Sequence, residues 1–251
     1  MHHLSKIIPF FTFSNFHICK FDTISSTQDE LKNILKKIGK IPEFSVISAG
    51  FQTAGKGRMN RKWLAEKNQN ALFSFVTYPG MHVNRLELLY QQAAVAIISA
   101  LVHYADIRPV IKYPNDILVQ GRKLAGILID TAIHKNKIEH AVIGMGVNIN
   151  QTKFDRSLHA VSLLEITGKK NNPATWIERI VNQYIGISKL PPETIFETYV
   201  YFWNQAGKKK GIISGDTKIA GEIKAIRNDR IFLKTKTGIL SFPVKEVKAW
   251  V

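Results

Sequence analysis

The chain has 251 residues, 45% hydrophobic and 22% charged, with 35 Lys and Arg against 19 Asp and Glu for a formal net charge of +16. That size and balance belong to a globular chain able to bury a full core, with room for one larger domain and a small appended one. A single cysteine, Cys19, excludes an intramolecular disulfide and a thiolate metal cluster, and its place in an apolar strand predicts a small buried hydrophobe.

The apolar stretch Ile7 to Phe13 is short, contains Pro9 and lacks a small-residue cleavage pattern, so a signal peptide is not expected. No apolar run approaches the length needed to span a membrane, and the one around Ala93 to Val102 fits a buried helix. A cytoplasmic location follows as the default. The basic residues are scattered, with Lys208-Lys209-Lys210 as the one run. They describe a solvated basic surface, or a positive field that steers acidic small molecules or an acidic protein partner. Nucleic-acid binding stays as an alternative of a different class.

In chain order, Phe16 to Phe21 reads as a strand feeding Ser25-Ser26-Thr27. Thr27 and Glu30 have capping-box spacing, and Leu31, Ile34, Leu35 and Ile38 lay one apolar stripe on a helix that Gly39 ends. Ser26, Thr27 and Gln28 then sit at a helix N-terminus, whose free N–H groups receive polar ligand atoms, although capping alone would account for them. Phe44 to Ala49 is a buried-type strand. After it, Gly50 to Trp63 gathers Gly55, Lys56, Gly57, Arg58, Arg61 and Lys62 without apolar periodicity, so it is no part of a core. Its glycines let the backbone reach a phosphate or carboxylate, and its cations supply charge-assisted donors. It is neither a Walker A sequence nor a dinucleotide fingerprint.

Ala71 to Tyr78 is a further strand, and Asn84 with Glu87 caps a long helix to about Tyr104, apolar nearly all round. In Ile111 to Asp130 a polar knot, Lys112 to Asp116, is wedged between two β-type runs. Pro114 holds Tyr113 extended or in a turn, and Gln120-Gly121 supplies a two-residue hairpin. Leu118 would pair with Lys123 and Ile117 with Leu124, which puts Asp116, Leu118, Lys123 and Ala125 on one face with Asp116 and Lys123 as diagonal neighbours. A carboxylate and an ammonium together, followed by small Ala125 and Gly126, describe an anion site; an edge-strand ion pair is the plain alternative.

Within His140 to Asn150, Gly144 and Gly146 break an apolar strand and allow close backbone approach, and Asn148 offers an amide. Asn172-Pro173 starts a helix with Trp176, Ile177, Ile180, Val181 and Tyr184 inward, and Thr194 to Gln205 forms another. At Gly207 the texture changes. Lys208-Lys209-Lys210 resembles a linker, and Gly211 to Val251 alternates like short strands joined at Gly215-Asp216, Asn228-Asp229 and Thr237-Gly238, with Phe232, Phe242 and Trp250 for its core. The expected domains are therefore 1–207 and 208–251.

Taken together these stretches resemble the biotin protein ligases over nearly the whole chain. The resemblance rests on Ser26-Thr27-Gln28, on Gln52 to Arg58 with Arg61-Lys62-Trp63, on Lys112-Tyr113-Pro114-Asn115-Asp116, on Lys123 to Leu128, and on Gly144-Met145-Gly146-Val147-Asn148. It implies an α/β (α+β) catalytic domain, a mixed sheet flanked by helices, followed by an SH3-like small β-barrel. It also implies a two-step reaction. Biotin carboxylate attacks the α-phosphate of Mg-ATP to give biotinyl-5'-AMP, and a lysine amine of a biotin carboxyl carrier protein then attacks the mixed anhydride.

By that resemblance Ser26, Thr27 and Gln28 hold the ureido head of biotin, and Gln52, Gly55, Lys56, Gly57 and Arg58 close over it. Gly126 and Lys123 complete the biotin set, Lys123 binding both the carboxylate and a phosphate oxygen. Arg58, Arg61, Lys112, Asn115 and Asn148 serve ATP, and Trp63 walls the adenylate from water. Magnesium arrives with the nucleotide and has no dedicated site. Asp116 orients the incoming lysine or takes its proton, so Lys123, Arg58, Asp116 and Lys112 form the catalytic set. Biotin, ATP and the carrier are the implied partners. DNA and membranes are not expected, and a homodimer is compatible with the layout. A helix-turn-helix ahead of the catalytic domain has no room before the first strand.

Five positions depart from the family pattern. Lys56 stands where arginine is usual, Met59-Asn60 where Arg-Gly is common, Gln28 for asparagine and Tyr113 for tryptophan. Lys56 keeps the charge without the bidentate geometry, which predicts altered retention of the adenylate rather than lost activity. Ligation of lipoate or octanoate shares the fold and the adenylation logic, but the triple-glycine loop expected there is not visible.

Overall fold

The computed structural model describes residues 10–11, 16–203, 209–214, 217–227, 230–243 and 247–250. The chain opens with β1 (Ile18–Ile24), α1 (Thr27–Ile38), β2 (Val46–Gln52) and β3 (Asn70–Thr77). Next come α2 (Leu86–Ala105), β4 (Val110–Lys112), β5 (Asp116–Val119), β6 (Arg122–His134) and β7 (Lys137–Asn148). Three helices follow: α3 (Leu163–Thr167), α4 (Pro173–Ile187) and α5 (Pro192–Phe202). Then β8 (Lys209–Ser214), β9 (Thr217–Arg227), β10 (Arg230–Thr235), β11 (Gly238–Pro243) and β12 (Val247–Trp250) build a second sheet.

The first sheet has seven strands in the order β1-β2-β3-β7-β6-β5-β4. It is mixed: β1 and β2 run parallel, and every other neighbour is antiparallel. Alternation splits its side chains between two layers. Val46, Phe73, Phe75, Ile143 and Met145 join α2, α4 and α5 in the larger core, while Ile47, Val76 and Val142 meet Leu31 and Leu35 of α1 on the other side. Helix α1 covers only part of that second face. Along the uncovered part the same alternation presents Ser74, Gly144, Gly146 and Gly126, small residues that leave a hollow.

Several local expectations are corrected. Ser26, not Thr27, caps α1, its hydroxyl accepting from the Asp29 N–H, and Ile38 lies outside the apolar stripe at 71% exposure. Helix α2 starts at Leu86 after a short 3-10 turn over Val83–Arg85 that His82 caps, so Asn84 and Glu87 do not open it. The whole helical stretch Val83–Ala105 is long and apolar enough by composition to cross a membrane, yet 72% of its most apolar window is buried in the fold. Cys19 is exposed rather than buried, because β1 is an edge strand paired only with β2. Helix α3 is too short to leave a periodic signal.

The second sheet runs β11-β10-β9-β8-β12, all antiparallel. Among its described side chains the buried anchors are Ile231 and Leu233 rather than Phe232, and both join the large core. The β10–β11 turn falls at Lys236-Thr237, one residue before the expected place. Gln205, Gly207 and the expected turns at Gly215-Asp216 and Asn228-Asp229 lie outside the described residues.

Candidate active site

The hollow on the uncovered sheet face is a cleft of about 710 Å³. One end is closed by the first turn of α1, where Ser26, Thr27 and Gln28 are all buried. The Thr27 N–H and hydroxyl donate to Oε1 of Gln52 at 2.8 and 3.1 Å. Oγ1 of Thr27 lies 2.9 Å from Oγ of Ser74, which donates to Oε1 of Gln28 at 3.0 Å, and Nε2 of Gln28 donates to the Val142 carbonyl at 2.9 Å. A side chain at 144 would have to move the Gln28 amide, since a Cβ there would collide with its Oε1. The Gln28 amide is thus engaged by the protein at both ends, and Ser74, unnoticed within its apolar strand, joins the polar end of the cleft.

The roof is the segment 55–63. It is a small ribbon: the Trp63 N–H donates to the Gly55 carbonyl at 2.9 Å and the Gly57 N–H to the Arg61 carbonyl at 2.7 Å, with Lys56 bridged to Lys62. Its tip turns through Arg58–Asn60, with Met59 at φ 53°. The indole of Trp63 lies on the paired glycines Gly126 and Gly146, where an added Cβ would come within 2.9 and 2.5 Å of the ring. Side-chain ties flank the ribbon. Nζ of Lys56 is 2.6 Å from Oδ2 of Asp29, and Nη1 of Arg58 donates to Oδ1 of Asn115 at 3.2 Å. Asn115 is itself held to Ile127 by Nδ2 to the carbonyl at 3.1 Å and by its own carbonyl to the Ile127 N–H at 2.9 Å.

Lys123 and Asp116 stand at the centre, Nζ to Oδ1 at 2.8 Å. Leu118 pairs with Lys123 as expected, but Ile117 pairs with Ala125 instead of Leu124 because the register shifts there. This bulge matters. It sends both Leu124 and Ala125 into the core and returns Gly126 to the side of Lys123, so Gly126, not Ala125, shares the site face with Asp116, Leu118 and Lys123. The Lys123 backbone is fixed from the other side by a single parallel bridge to Ala160: its N–H donates to the His159 carbonyl at 2.8 Å and its carbonyl accepts from the Val161 N–H at 2.9 Å. Lys123 Nζ also lies 5.3 Å from the Trp63 ring centroid.

The structure brings Ser26, Thr27, Gln28, Gln52, Lys56, Gly57, Arg58, Arg61, Trp63, Lys112, Asn115, Asp116, Lys123 and Gly126 to this one cleft. Two predicted residues lie elsewhere. Gly55 sits at the base of the ribbon, where a Cβ would come within 2.6 Å of the Trp63 carbonyl oxygen. Asn148 is buried beneath Lys123, its Nδ2 donating to the Lys123 and Val161 carbonyls at 3.3 and 3.2 Å, so it braces Lys123 rather than facing the cleft. Ser157, Leu158 and His159 add a wall that sequence reasoning missed, since their irregular segment carries no periodicity.

Electrostatically the cleft is a receptor for anions. Its described lining holds Lys56, Arg58, Arg61, Lys62, Lys112 and Lys123 against one carboxylate, Asp116. Beside it, burial raises the Asp29 pKa, but hydrogen bonds from Lys56 and Lys32 outweigh that and hold the carboxyl below its usual range. Among the described residues no three of His, Cys, Asp or Glu come together as a metal site. Cations gathered around a half-open hollow, with an apolar sheet behind, can hold two anions against each other and stabilise charge that moves between them.

A mixed seven-stranded sheet with an anion-receptive cleft on its half-covered face defines the class of protein structurally. Residues 21–148 match the biotin/lipoate A/B protein ligase family, and the chain belongs to that family. It is 30% identical over 194 residues to the bifunctional ligase/repressor BirA of Bacillus subtilis, covering 73% of this chain and 59% of that protein. It is 32% identical over 125 residues to the biotin–[acetyl-CoA-carboxylase] ligase of Mycobacterium tuberculosis, covering 48% of this chain and 45% of that one. The chain therefore spans 59% of the length of its Bacillus subtilis relative. Among solved structures, the biotin protein ligase from Aquifex aeolicus in complex with biotin and ATP superposes with a TM-score of 0.79 over 94% of this chain and 98% of that one, a likeness of fold at 23% identity.

Proposed function

We propose that this protein is an ATP-dependent biotin protein ligase, which activates biotin as biotinyl-5'-AMP and passes it to a lysine of a biotin carboxyl carrier protein. The observation that carries this reading is the placement of Lys123. Its ammonium lies between the polar end built by Ser26, Thr27, Gln28 and Ser74 and the cationic end built by Arg58, Arg61 and Lys112, where a carboxylate and a triphosphate would meet. Bound from the polar end, the acid would direct its carboxylate at Lys123, which neutralises both this oxygen and an α-phosphate oxygen as the new P–O bond forms and pyrophosphate leaves. Arg58, Arg61, Lys112 and Asn115 hold the phosphates. Magnesium would enter on the triphosphate, where it supplies charge neutralisation.

Trp63, lying on Gly126 and Gly146, seals the anhydride from water. In the second step the carrier amine attacks the acyl carbon, AMP departs, and Asp116, the one acid of the described lining, orients that amine and takes its proton. The five-stranded sheet is read as an SH3-like small barrel, the second domain of a chain divided into 1–207 and 208–251.

The test is ATP–pyrophosphate exchange with biotin, lipoate and octanoate offered in turn as the acid. Exchange with biotin alone, abolished in Lys123→Ala, is the expected result. Exchange driven by lipoate or octanoate would move the protein to the other branch of its family, and none with any acid would end the ligase reading.

A further inference from the structure

The turn of α1 that closes the cleft carries a residue the reading above leaves unused. Ser26, Thr27 and Gln28 point into the cleft; the next residue, Asp29, reaches the roof. Its Oδ2 is 2.6 Å from Nζ of Lys56, at the start of the ribbon, and its Oδ1 is 3.3 Å from Nζ of Lys32. Lys32 in turn is 2.6 Å from Oδ2 of Asp130 on β6. The four side chains alternate in sign, so the roof is tied through α1 to the strand that carries Lys123 and Gly126. On the other flank Arg58 ties the ribbon through neutral partners, donating to Asn115 at 3.2 Å and lying 5.9 Å from the Tyr90 ring centroid.

We propose that Asp29 is a positioning residue for the roof: by pairing with Lys56 it holds the ribbon 55–63 down over the cleft, and so sets how long a bound intermediate is retained. It is not among the residues that line the cleft. Because Asp29 adjoins Thr27 and Gln28 on one helical turn, the same rigid element that receives the acid also clamps the segment closing over it. The inference rests on the ligase reading for what is retained, but not for the clamp itself. The pair is partly exposed, with side-chain exposures of 29% for Asp29 and 49% for Lys56. An ion pair so placed shifts an open–closed equilibrium by about two- to fivefold, not by orders of magnitude, and is screened by salt.

The clamp is tested first without ligand, by hydrogen exchange of the backbone amides from Lys56 to Trp63 in the full chain. Asp29→Asn and Lys56→Gln should each speed exchange about two- to fivefold, the double substitution should add nothing further, and Asp29→Glu should restore wild-type protection. High salt should bring the wild type to the level of Asp29→Asn and leave that variant unmoved. Unchanged exchange in Asp29→Asn, or accelerations that multiply in the double variant, would overturn the clamp.

With biotin and Mg-ATP, adenylate should then dissociate from Asp29→Asn faster by the same factor, while its rate of formation stays near that of the wild type. A slowed formation with unchanged release would place Asp29 in substrate binding and overturn the positioning role. Failure of the wild type to form any adenylate would strike the ligase reading alone, since the exchange result stands without it.

Discussion

The contact between Trp63 and the glycine pair is where a single methyl group decides function. A Cβ at Gly146 would come within 2.5 Å of the indole, and the ring, carried by a loop, yields more readily than the central strand beneath it. On the ligase reading, Gly146→Ala should therefore displace Trp63 and lower adenylate formation by about 10- to 100-fold, the scale expected when a positioning group moves by an ångström. In a Trp63→Ala background the same change should cost little, so a double-mutant cycle on the exchange rate checks it: independent effects would show that the glycine acts elsewhere. That Gly144 and Gly146 admit something close was legible from glycines interrupting an apolar strand. What they admit was not, because Gln28 and Trp63 are brought there by separate elements. Ser74 was missed for a related reason: a lone serine inside Asn70–Thr77 looks like any strand position until the sheet shows which face it is on.

At the level of elements, helix α1 and strand β6 show how local chemistry is overridden by its neighbours. Three hydroxyls in a row, Ser25-Ser26-Thr27, all suit a cap; Ser26 takes the role because the Thr27 hydroxyl is held by Gln52 and Ser74. In β6 the turn chemistry correctly paired Leu118 with Lys123, but a bulge leaves no trace in an apolar run, so the side facing the site changed parity one step later. The first turn of α1 also carries a prediction about acid stability. Asp29 has a folded pKa below its ordinary 3.8, the hydrogen bonds from Lys56 and Lys32 outweighing the opposing effect of burial. A carboxylate whose pKa is depressed by folding stabilises the protein above its unfolded pKa, and that contribution disappears as pH falls through the lower folded value. Unfolding free energies from urea titrations between pH 7 and about 2.5 should thus fall less steeply for Asp29→Asn than for the wild type, by ~0.2–1 kcal/mol given the partial exposure of the pair. Parallel curves would mean that the pair adds nothing to folding.

For the molecule as a whole, a second, all-β sheet after the α/β part was readable from the change of periodicity after α5. The strand order was not, because placing β7 between β3 and β6 depends on contacts distant in sequence. On the ligase reading proposed above, the charge bears most directly on the second step. With +16 overall and six cations in the described cleft lining, an approaching carrier domain meets a positive field before any contact forms. If the acceptor lysine sits on an acidic domain, that field raises the encounter rate and leaves the chemistry untouched. Then kcat/KM for the carrier should fall about tenfold as salt rises from ~0.05 to ~0.5 M, where the screening length shrinks from over 10 Å to a few ångströms, while kcat holds nearly constant. The first step supplies the control. Biotin carries one charge and ATP several, so biotin's KM should move far less than that of ATP. A carrier kcat/KM that stays flat over this range, in a preparation whose KM for ATP does respond to salt, would show that recognition is made by close contact alone.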